Sequence, residues 1–304
     1  MSSVLATDLG AAMNRVRFAE RCGMRAELGM ELEPKQAQML RFTGKRQMYV
    51  CCRQFGKSTI AAVRALYAAV YLHSLVLVLA PTLRQSGEVF SKVKTFYRQL
   101  NMHVKAEKDA SQELELVGGG RIVAIPSKEG NVRGFSKPGL IIEDEAAWIP
   151  DAVRVAVGPM LARSHGELLL VSTPNGRSGH FYQSWLSSQR KPAAPWVAHR
   201  YTADDCPWLQ ESFLDDERED MTEAEFLQEY WCRFMESGSA VFTAKDIEAA
   251  RARGLERLGV TEEELAEGSE LTHEQMDILK PAPIPRKARP TKPEADRPRV
   301  RIAV

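Results

Sequence analysis

The chain has 304 residues, enough to bury a large core and to form one large domain or two moderate ones. Its 41 basic and 40 acidic residues give a formal net charge of +1, which excludes the strongly basic balance typical of many nucleic-acid-binding proteins, so that a DNA-binding surface would have to be local. The odd number of cysteines, without a Cys-x-x-Cys pair, argues against structural zinc and disulfides, and the lack of a membrane-spanning or signal-peptide pattern predicts a soluble intracellular protein with no membrane partner.

The N-terminal part of the chain predicts a helix. Apolar side chains recur at helical spacing from Leu5 to Ala19, so residues 1–30 are expected to form an amphipathic helical segment. Gln36 follows in the segment Glu33-Pro34-Lys35. Because a glutamine amide carries both a donor and an acceptor, Gln36 is a candidate for reading the edge of an adenine base.

Short apolar segments then alternate with helical patterns. Helices are predicted over 58–72 and 84–99, and wholly apolar strands between helices are typical of a parallel sheet covered on both faces. The Gly118-Gly119-Gly120 turn indicates a hairpin, so one strand pair is expected to be antiparallel. The predicted strands are 48–51, 75–80, 121–125, 140–142 and 168–171.

The first predicted strand runs into the segment Cys51-Cys52-Arg53-Gln54-Phe55-Gly56-Lys57-Ser58-Thr59 and then into a helix. This arrangement is that of a phosphate-binding P-loop, in which loop N–H groups and the helix N-terminus face the phosphate oxygens. Lys57 would reach the β- and γ-phosphates of ATP, and the Ser58 hydroxyl would bind Mg²⁺. Cys51 stands where a glycine is usual, so the loop lacks a residue that adopts positive φ freely. The alternative interpretation is an ordinary helix N-terminus with a surface lysine.

Arg133-Gly134 lies in a loop after the third predicted strand. An arginine on a loop near phosphates can act as an arginine finger, either in its own subunit or in a neighbour. A surface arginine is an equally good interpretation of this residue.

The segment from Leu140 to Ala147 reads as a buried strand that ends in carboxylates. Asp144 would hold Mg²⁺, and Glu145 would polarise the attacking water, as in a Walker B element. In isolation, a strand that runs into a solvated acidic turn would explain the same pattern. The P-loop upstream favours the Walker B interpretation.

The next apolar strand ends in Ser172-Thr173-Pro174. Open α/β sheets bind ligands at the carboxyl ends of their strands, where these hydroxyl groups would lie. Such a strand end can detect the γ-phosphate and transmit its loss to a neighbouring element, although Ser-Thr-Pro-Asn-Gly is also simply a good turn.

After Tyr201 the composition changes. Thr222 opens a capping box for a helix expected to carry Phe226, Leu227, Tyr230, Trp231 and Phe234. Further caps at Thr243, Thr261 and Thr272 predict short helices with few apolar residues, and the proline-rich basic stretch 281–298 predicts a flexible tail.

Taken in order, these motifs resemble the ATPase domain of the large terminase subunit, the DNA-packaging motor of tailed bacteriophages. The resemblance covers about residues 31–243 and includes Ala80-Pro81-Thr82 with Gln85. Members of this family place an arginine three residues before Gly-Lys-Ser, as Arg53 is here, and often lack the first glycine, which accounts for Cys51. The resemblance implies an α/β P-loop NTPase of the RecA/ASCE type, with a mostly parallel sheet covered by helices and a small helical subdomain.

The resemblance also implies domain limits and roles. The expected parts are a helical segment (1–30), the ATPase core (31–200), a small subdomain (201–243) and a C-terminal linker or tail (244–304). Residues 53–59 and Gln36 would bind ATP, Ser58 and Asp144 would bind Mg²⁺, and Glu145 would activate water. Ser172, Thr173 and Pro174 would couple hydrolysis to movement, and Arg53 and Arg133 are the candidate transition-state arginines.

The partners implied by the resemblance are double-stranded DNA, the portal protein, the small terminase subunit and further copies of the chain in a ring, in the host cytoplasm. Family members normally continue into a nuclease domain, and the acidic residues after position 243 form no pattern typical of a two-metal nuclease site, so DNA cleavage is not expected. Two alternatives stay open: a helicase-type DNA-dependent ATPase, and a catalytically silent nucleotide-binding assembly factor.

Overall fold

The computed structural model describes residues 11–24, 32–100, 104–190, 195–236, 252–256 and Gly259. The chain divides into two compact units, Met1–Ser239 and Ala240–Val304. In the second unit only the last two of these stretches are described, and residues 252–256 are helical. The predicted caps at Thr243, Thr261 and Thr272 and the tail 281–298 lie outside the described residues.

The first unit is built on one eight-stranded sheet, as expected for an α/β fold. Its strands are β1 (Arg46–Cys51), β2 (Leu75–Ala80), β3 (Ala106–Asp109), β4 (Glu113–Leu116), β5 (Arg121–Pro126), β6 (Leu140–Asp144), β7 (Glu167–Ser172) and β8 (Val197–Tyr201). They lie in the order β3-β4-β5-β2-β6-β7-β1-β8. The run from β5 to β8 is parallel, whereas β3, β4 and β5 pair antiparallel. The predicted mostly parallel sheet is confirmed.

Helices cover the sheet. They are α1 (Arg15–Arg21), α2 (Pro34–Arg41), α3 (Lys57–Leu72), α4 (Leu83–Gln99), α5 (Glu129–Val132), α6 (Asp151–Ala162), α7 (Gly179–Ser188), α8 (Glu211–Asp220) and α9 (Glu223–Glu229). Helix α3 is rich in alanine, a strong helix former, and its residues from Thr59 to Val70 are all buried. The P-loop therefore opens onto a helix that is fixed in the core along most of its length.

Several element boundaries differ from the sequence prediction. Strand β6 runs on through Glu143 and Asp144, because parallel pairing with β7 continues to Asp144 and both side chains are buried. Strands β3, β4 and β8 were not among the predicted strands, although the hairpin expected at Gly118-Gly119-Gly120 is the one that joins β4 to β5. Strands β3 and β8 are short edge strands whose partly exposed side chains form no clear apolar run. In the described part of the predicted helix 1–30, Asn14 interrupts the helix and caps α1 by accepting a hydrogen bond from the Val16 N–H (2.9 Å).

The helix predicted from Thr222 is shorter than expected. Its capping box forms, but α9 ends at Glu229, and Trp231 and Phe234 lie beyond it. Phe234 packs instead on Tyr182 and Trp185 of α7. Near α8 and α9, Ala203, Phe226 and Tyr230 form a small apolar cluster of their own, and the domain limits given above stay predictions. Among the described helices, none is long and apolar enough to cross a membrane.

Candidate active site

The strand order brings three sequence motifs to one edge of the sheet. Strand β7 pairs in parallel with both β1 and β6, so the P-loop, the end of β7 and the end of β6 leave the sheet side by side. The register aligns Val50 of β1 with Ser172, and Asp144 of β6 with Val171. Because the carboxyl ends of parallel strands form the ligand-binding edge of open α/β sheets, this edge is the candidate active site.

The P-loop forms without its usual first glycine. Cys51 is the last residue of β1 and is fully buried, and it is not among the described residues with positive φ. The left-handed conformations occur later in the loop, at Gln54 (φ 59°) and Gly56 (φ 86°). Gly56 adopts this conformation without a Cβ clash, directly before the helix begins at Lys57. The departure at Cys51 is therefore accommodated by extending the strand.

Hydrogen bonds from surrounding elements hold the loop. Gln36 on α2 donates from Nε2 to the Phe55 carbonyl (2.9 Å), and the Trp208 indole donates from Nε1 to the Gln54 carbonyl (3.2 Å). The Arg53 N–H donates to the carbonyl of Glu229 at the end of α9 (3.0 Å). The loop is thus fixed from both the core and the small helical part of the chain.

The P-loop and Walker B side chains meet directly. Lys57 Nζ lies 3.0 Å from Glu145 Oε1. The Ser58 hydroxyl lies 3.3 and 3.0 Å from the two oxygens of the Asp144 carboxylate. The two members of each pair are almost ninety residues apart in the sequence, and the order of the strands brings them into contact.

Burial and neighbouring charges shift the pKa values of this cluster. Burial raises the pKa of Asp144, the Glu145 carboxylate raises it further, and Lys57 only partly offsets this, giving a value of about 6. Burial lowers the pKa of Lys57, but Glu145 and Asp144 together more than offset it, so this pKa lies above its ordinary value. Lys57 is therefore a firmly charged ammonium group beside two carboxylates.

The end of β7 positions the Glu145 carboxylate. The Ser172 hydroxyl donates to Glu145 Oε2 (3.2 Å) and accepts a hydrogen bond from the Ala147 N–H (3.2 Å). Glu145 itself has φ 53°, a left-handed conformation that is unfavourable for a residue other than glycine and that clusters at functional sites. Thr173 and Pro174 are buried directly after Ser172. The predicted coupling segment thus contacts the predicted catalytic carboxylate.

Two cavities open at this edge. The larger, of about 800 Å³, extends from the P-loop to the small helical part of the chain. It is lined by Gln36, Arg53, Gln54, Phe55, Gly56, Lys57, Ser58, Thr59, Lys92, Glu145, Trp208, Leu209, Gln210 and Phe213. The smaller, of about 420 Å³, lies on the other side of Lys57 and Glu145 and is lined by Arg53, Lys57, Pro81, Thr82, Gln85, Glu145, Trp148, Thr173 and Glu229. Volumes of several hundred Å³ are typical of small-molecule sites.

Three predicted site residues have surroundings that the sequence did not indicate. Gln36 lines the larger cavity, but its amide is already hydrogen-bonded at both ends, since Oε1 accepts from the Glu33 N–H (3.2 Å). Arg53 lines both cavities and forms an ion pair with Glu229 (2.8 Å). Arg133 follows α5, is exposed and is not among the residues that line either cavity.

The sequence prediction missed the outer wall of the larger cavity. Trp208, Leu209 and Phe213 come from the segment that follows β8 and from the start of α8. No local pattern assigns them to a P-loop more than 140 residues away. The only available signal was the pair of large aromatic residues in an otherwise acidic, polar stretch.

Comparison with known proteins agrees with this architecture. The sequence profile of the family described as terminase large subunit, T4likevirus-type, N-terminal matches residues 48–249. The large terminase subunit of Escherichia phage T5 is 24% identical over 210 residues, which make up 66% of this chain and 48% of the relative. This chain spans about half the length of the curated relatives that it matches.

Solved structures show the same fold. The large terminase ATPase domain of Thermus phage P74-26 is 23% identical, with a TM-score of 0.60 over 69% of this chain and 97% of that one. A large terminase from another thermophilic bacteriophage, in complex with ADP, is 11% identical, with a TM-score of 0.55 over 67% of this chain and 54% of that one. Since the family profile covers well over half of the sequence, the chain belongs to the terminase large subunit family, T4likevirus-type, by its match to the N-terminal region of that family.

Proposed function

We propose that this chain hydrolyses ATP and that hydrolysis drives double-stranded DNA into a phage procapsid. The observation that carries the proposal is the double contact between P-loop and Walker B side chains, Lys57 with Glu145 and Ser58 with Asp144. Phosphoryl transfer requires a phosphate-binding lysine, a metal-binding pair and a carboxylate for the attacking water in one place. Lys57 is the phosphate-binding lysine, Ser58 and Asp144 are the metal-binding pair, and Glu145 is the carboxylate for the attacking water.

The residues fit a magnesium ion. The Ser58 hydroxyl and the Asp144 carboxylate converge within 3.3 Å, and Mg²⁺ prefers oxygen ligands of these two kinds. Mg²⁺ usually keeps several waters and is bound through one or two carboxylates together with substrate phosphates. When bound, Mg²⁺ neutralises charge on the transferring phosphate.

Each remaining side chain has a role in this proposal. Lys57 binds the phosphates of ATP, and Glu145 orients and polarises the water that attacks the γ-phosphate. Ser172 holds the Glu145 carboxylate, so a movement of the segment Ser172-Thr173-Pro174 would be felt at the catalytic group. Arg53 and Arg133 are proposed to stabilise charge in the transition state.

The larger cavity suits the rest of the nucleotide. With the phosphates at the P-loop, the base would lie toward Gln36, Trp208 and Phe213, which line the same cavity. Aromatic faces favour base stacking, and the similar terminase from a thermophilic bacteriophage was solved with ADP. Adenine recognition by Gln36 would add to its hydrogen bond with Phe55.

The partners follow from the family. Membership in the terminase large subunit family supports double-stranded DNA, the portal protein and the small terminase subunit as partners, and a ring of several copies as the working form. The helicase-type alternative is disfavoured by the same match. The host cytoplasm is the proposed compartment, and all five cysteines are free thiols, including Cys52 and Cys206 with sulfurs 3.4 Å apart.

The decisive experiment measures ATP turnover with and without DNA, together with ATP affinity in an equilibrium titration. We expect turnover that DNA stimulates, and a loss of ATP affinity in Lys57→Ala because the charge that meets the phosphates is removed. Lys105→Ala, an exposed lysine outside both cavities, is the matched control and should bind ATP normally. ATP binding without turnover would favour the silent assembly factor, and unchanged affinity in Lys57→Ala would refute the P-loop assignment.

A further inference from the structure

A cluster of charged side chains lies behind the Walker B strand, on the face opposite the candidate active site. Its members Glu143 and His180 are buried, and its third member, Asp151, is exposed. Successive side chains of a strand point to opposite faces, so Glu143 faces away from the side on which Asp144 meets Ser58. Glu143 is fully buried, and its Oε2 lies 2.7 Å from His180 Nε2. Its other oxygen, Oε1, has no hydrogen-bond partner among the described residues.

His180 connects three elements. Its second ring nitrogen, Nδ1, lies 3.3 Å from Asp151 Oδ1, and its backbone N–H donates to the same oxygen at 2.7 Å. Glu143 is in β6, Asp151 is the first residue of α6, and His180 is in the first turn of α7. The cluster therefore joins the end of the Walker B strand to the starts of the two helices packed behind it.

Both ring nitrogens of His180 lie within hydrogen-bonding distance of a carboxylate oxygen. An ionised carboxylate only accepts hydrogen bonds, so these two neighbours favour the doubly protonated, positively charged imidazole. Burial lowers the pKa of His180, but the hydrogen bonds and charges of Glu143 and Asp151 more than offset it, so the pKa lies above its ordinary value. Arg154 of α6 is a charged residue that lines the same shallow cavity as His180.

Stability alone does not account for this pair. Removing a carboxylate from water is unfavourable, and apolar side chains that fill the same space are often as stabilising as a buried ion pair or more so. Glu143 follows the apolar residues Leu140, Ile141 and Ile142 of the same strand, where a further apolar residue would fit the pattern. A buried ion pair in such a place instead fixes one arrangement of the elements that it joins.

We propose that Glu143 and His180 are positioning residues for ATP hydrolysis, which tie the end of β6 to the coupling segment after β7. The inference rests on the proposed function. Glu143 is two residues before Glu145, and α7 begins shortly after Ser172-Thr173-Pro174. The coupling segment and the Walker B strand are then joined at two points: Ser172 with Glu145 on the active-site side, and His180 with Glu143 behind it. A displacement of the segment must therefore pull on the strand that carries Asp144 and Glu145.

Two substitutions of His180 distinguish the contact of Nε2 with Glu143 from the contact of Nδ1 with Asp151. A glutamine amide reaches the place of Nε2 and can keep the bond to Glu143, whereas an asparagine amide reaches only the place of Nδ1, toward Asp151. We expect His180→Asn to lower kcat by about 10- to 100-fold, as for other residues that orient reacting groups, with ATP affinity unchanged. His180→Gln should retain kcat within a few-fold of the wild type. Equal kcat values for both variants, high or low, would overturn the proposal.

A second variant separates positioning from folding. In the double variant Glu143→Leu with His180→Leu both partners of the ion pair are replaced by apolar side chains, so thermal stability should be kept or raised while kcat falls. If kcat changes only in proportion to thermal stability, the pair is merely structural and the inference is refuted. Glu167→Gln is the matched control, because the Arg64–Glu167 ion pair (2.8 Å) lies at the start of β7, at the opposite edge of the sheet. It should leave kcat unchanged whatever its effect on stability.

The same series distinguishes failure of this inference from failure of the proposed function. If the wild-type chain turns over no ATP under any condition with DNA, the proposed function is wrong. If the wild type turns over ATP and Glu145→Gln does not, but His180→Asn and the double variant Glu143→Leu with His180→Leu match the wild type, only the positioning role is wrong.

Discussion

At the scale of single residues, Glu145 combines the most constraints. Its backbone is left-handed (φ 53°), and its two carboxylate oxygens contact Lys57 and Ser172. An unfavourable backbone conformation is kept only when the surroundings fix it, and such conformations cluster at functional sites. The geometry therefore supports Glu145, and not the neighbouring Glu143 on the other face of the sheet, as the residue that activates water.

Glu145→Gln should leave ATP binding nearly intact and lower turnover by about 10²- to 10⁴-fold, because the amide keeps the size but cannot polarise water. Phosphate release measures the turnover, and equilibrium titration measures the ATP affinity. Glu88→Gln, on the exposed face of α4, is the control and should behave as the wild type. Turnover that survives within a few-fold would show that another residue is the catalytic carboxylate.

The raised pKa of Asp144 predicts in which direction ATP hydrolysis changes with pH. Its pKa is raised to about 6 by burial and by Glu145, so the carboxylate is protonated as the pH falls through that value. A proton and Mg²⁺ compete for the same oxygens, since a metal-binding carboxylate must be deprotonated. At limiting Mg²⁺, hydrolysis should therefore fall below a pH of about 6, and additional Mg²⁺ should move the inflection to lower pH. An inflection that does not respond to Mg²⁺ would assign it to a different group.

At the scale of elements, the small helical part of the chain completes the larger cavity, which is the proposed nucleotide site. Trp208 donates to the Gln54 carbonyl of the P-loop, and Phe213 lines the same cavity from the start of α8. On the other side, the Gln228 side chain at the end of α9 accepts from the Gly176 N–H, in the loop after β7 (3.0 Å). The elements after β8 thus contact both the nucleotide-binding loop and the coupling loop, which suits them to transmit the nucleotide state.

Trp208→Ala should weaken ATP binding by about 10-fold or more, since base stacking on an aromatic ring is worth about 1–3 kcal/mol. Trp208→Phe keeps a ring but loses the N–H donor to Gln54, so its ATP affinity should lie between those of the wild type and Trp208→Ala. Trp231→Phe is the control, because Trp231 packs against Phe226 and lines neither cavity. Equal ATP affinity for all four proteins, measured by titration, would exclude Trp208 from the base site.

At the scale of the whole molecule, the two candidate arginines differ in place. Both side chains are exposed, but Arg53 lines both cavities of its own subunit and pairs with Glu229, whereas Arg133 lines neither cavity. Arg53 is therefore suited to act within its own site. Arg133 is suited to act on a neighbour in a ring, a contribution that can reach about 10³- to 10⁵-fold in kcat.

Specific ATPase activity should accordingly rise with protein concentration and fall in Arg133→Ala. Mixing Arg133→Ala, which has an intact Glu145, with Glu145→Gln, which has an intact Arg133, should restore part of the activity through mixed assemblies. Specific activity that is constant from dilute to concentrated protein, with no recovery on mixing, would rule out an arginine supplied by a neighbour.

Local sequence pattern was enough to predict the elements that depend on it. Strands β2 and β5, helices α3 and α4, the P-loop and the acidic end of β6 follow from apolar runs, helical periodicity and Gly-Lys-Ser, each of which needs only neighbours along the chain. The family followed from the order of these motifs. Elements whose signal is weak locally, such as the edge strand β8 and the end of α9, were missed or misjudged.

Which side chains meet became visible only in the folded chain. The position of β7 between β1 and β6 brings Ser172 to Glu145, and packing behind the sheet brings His180 to Glu143. Likewise, Trp208 reaches the P-loop from a segment that carries no nucleotide-binding pattern. These contacts could not be predicted because strand order and helix packing depend on the joint burial of residues far apart in sequence, whereas periodicity and turn preferences report only on adjacent residues.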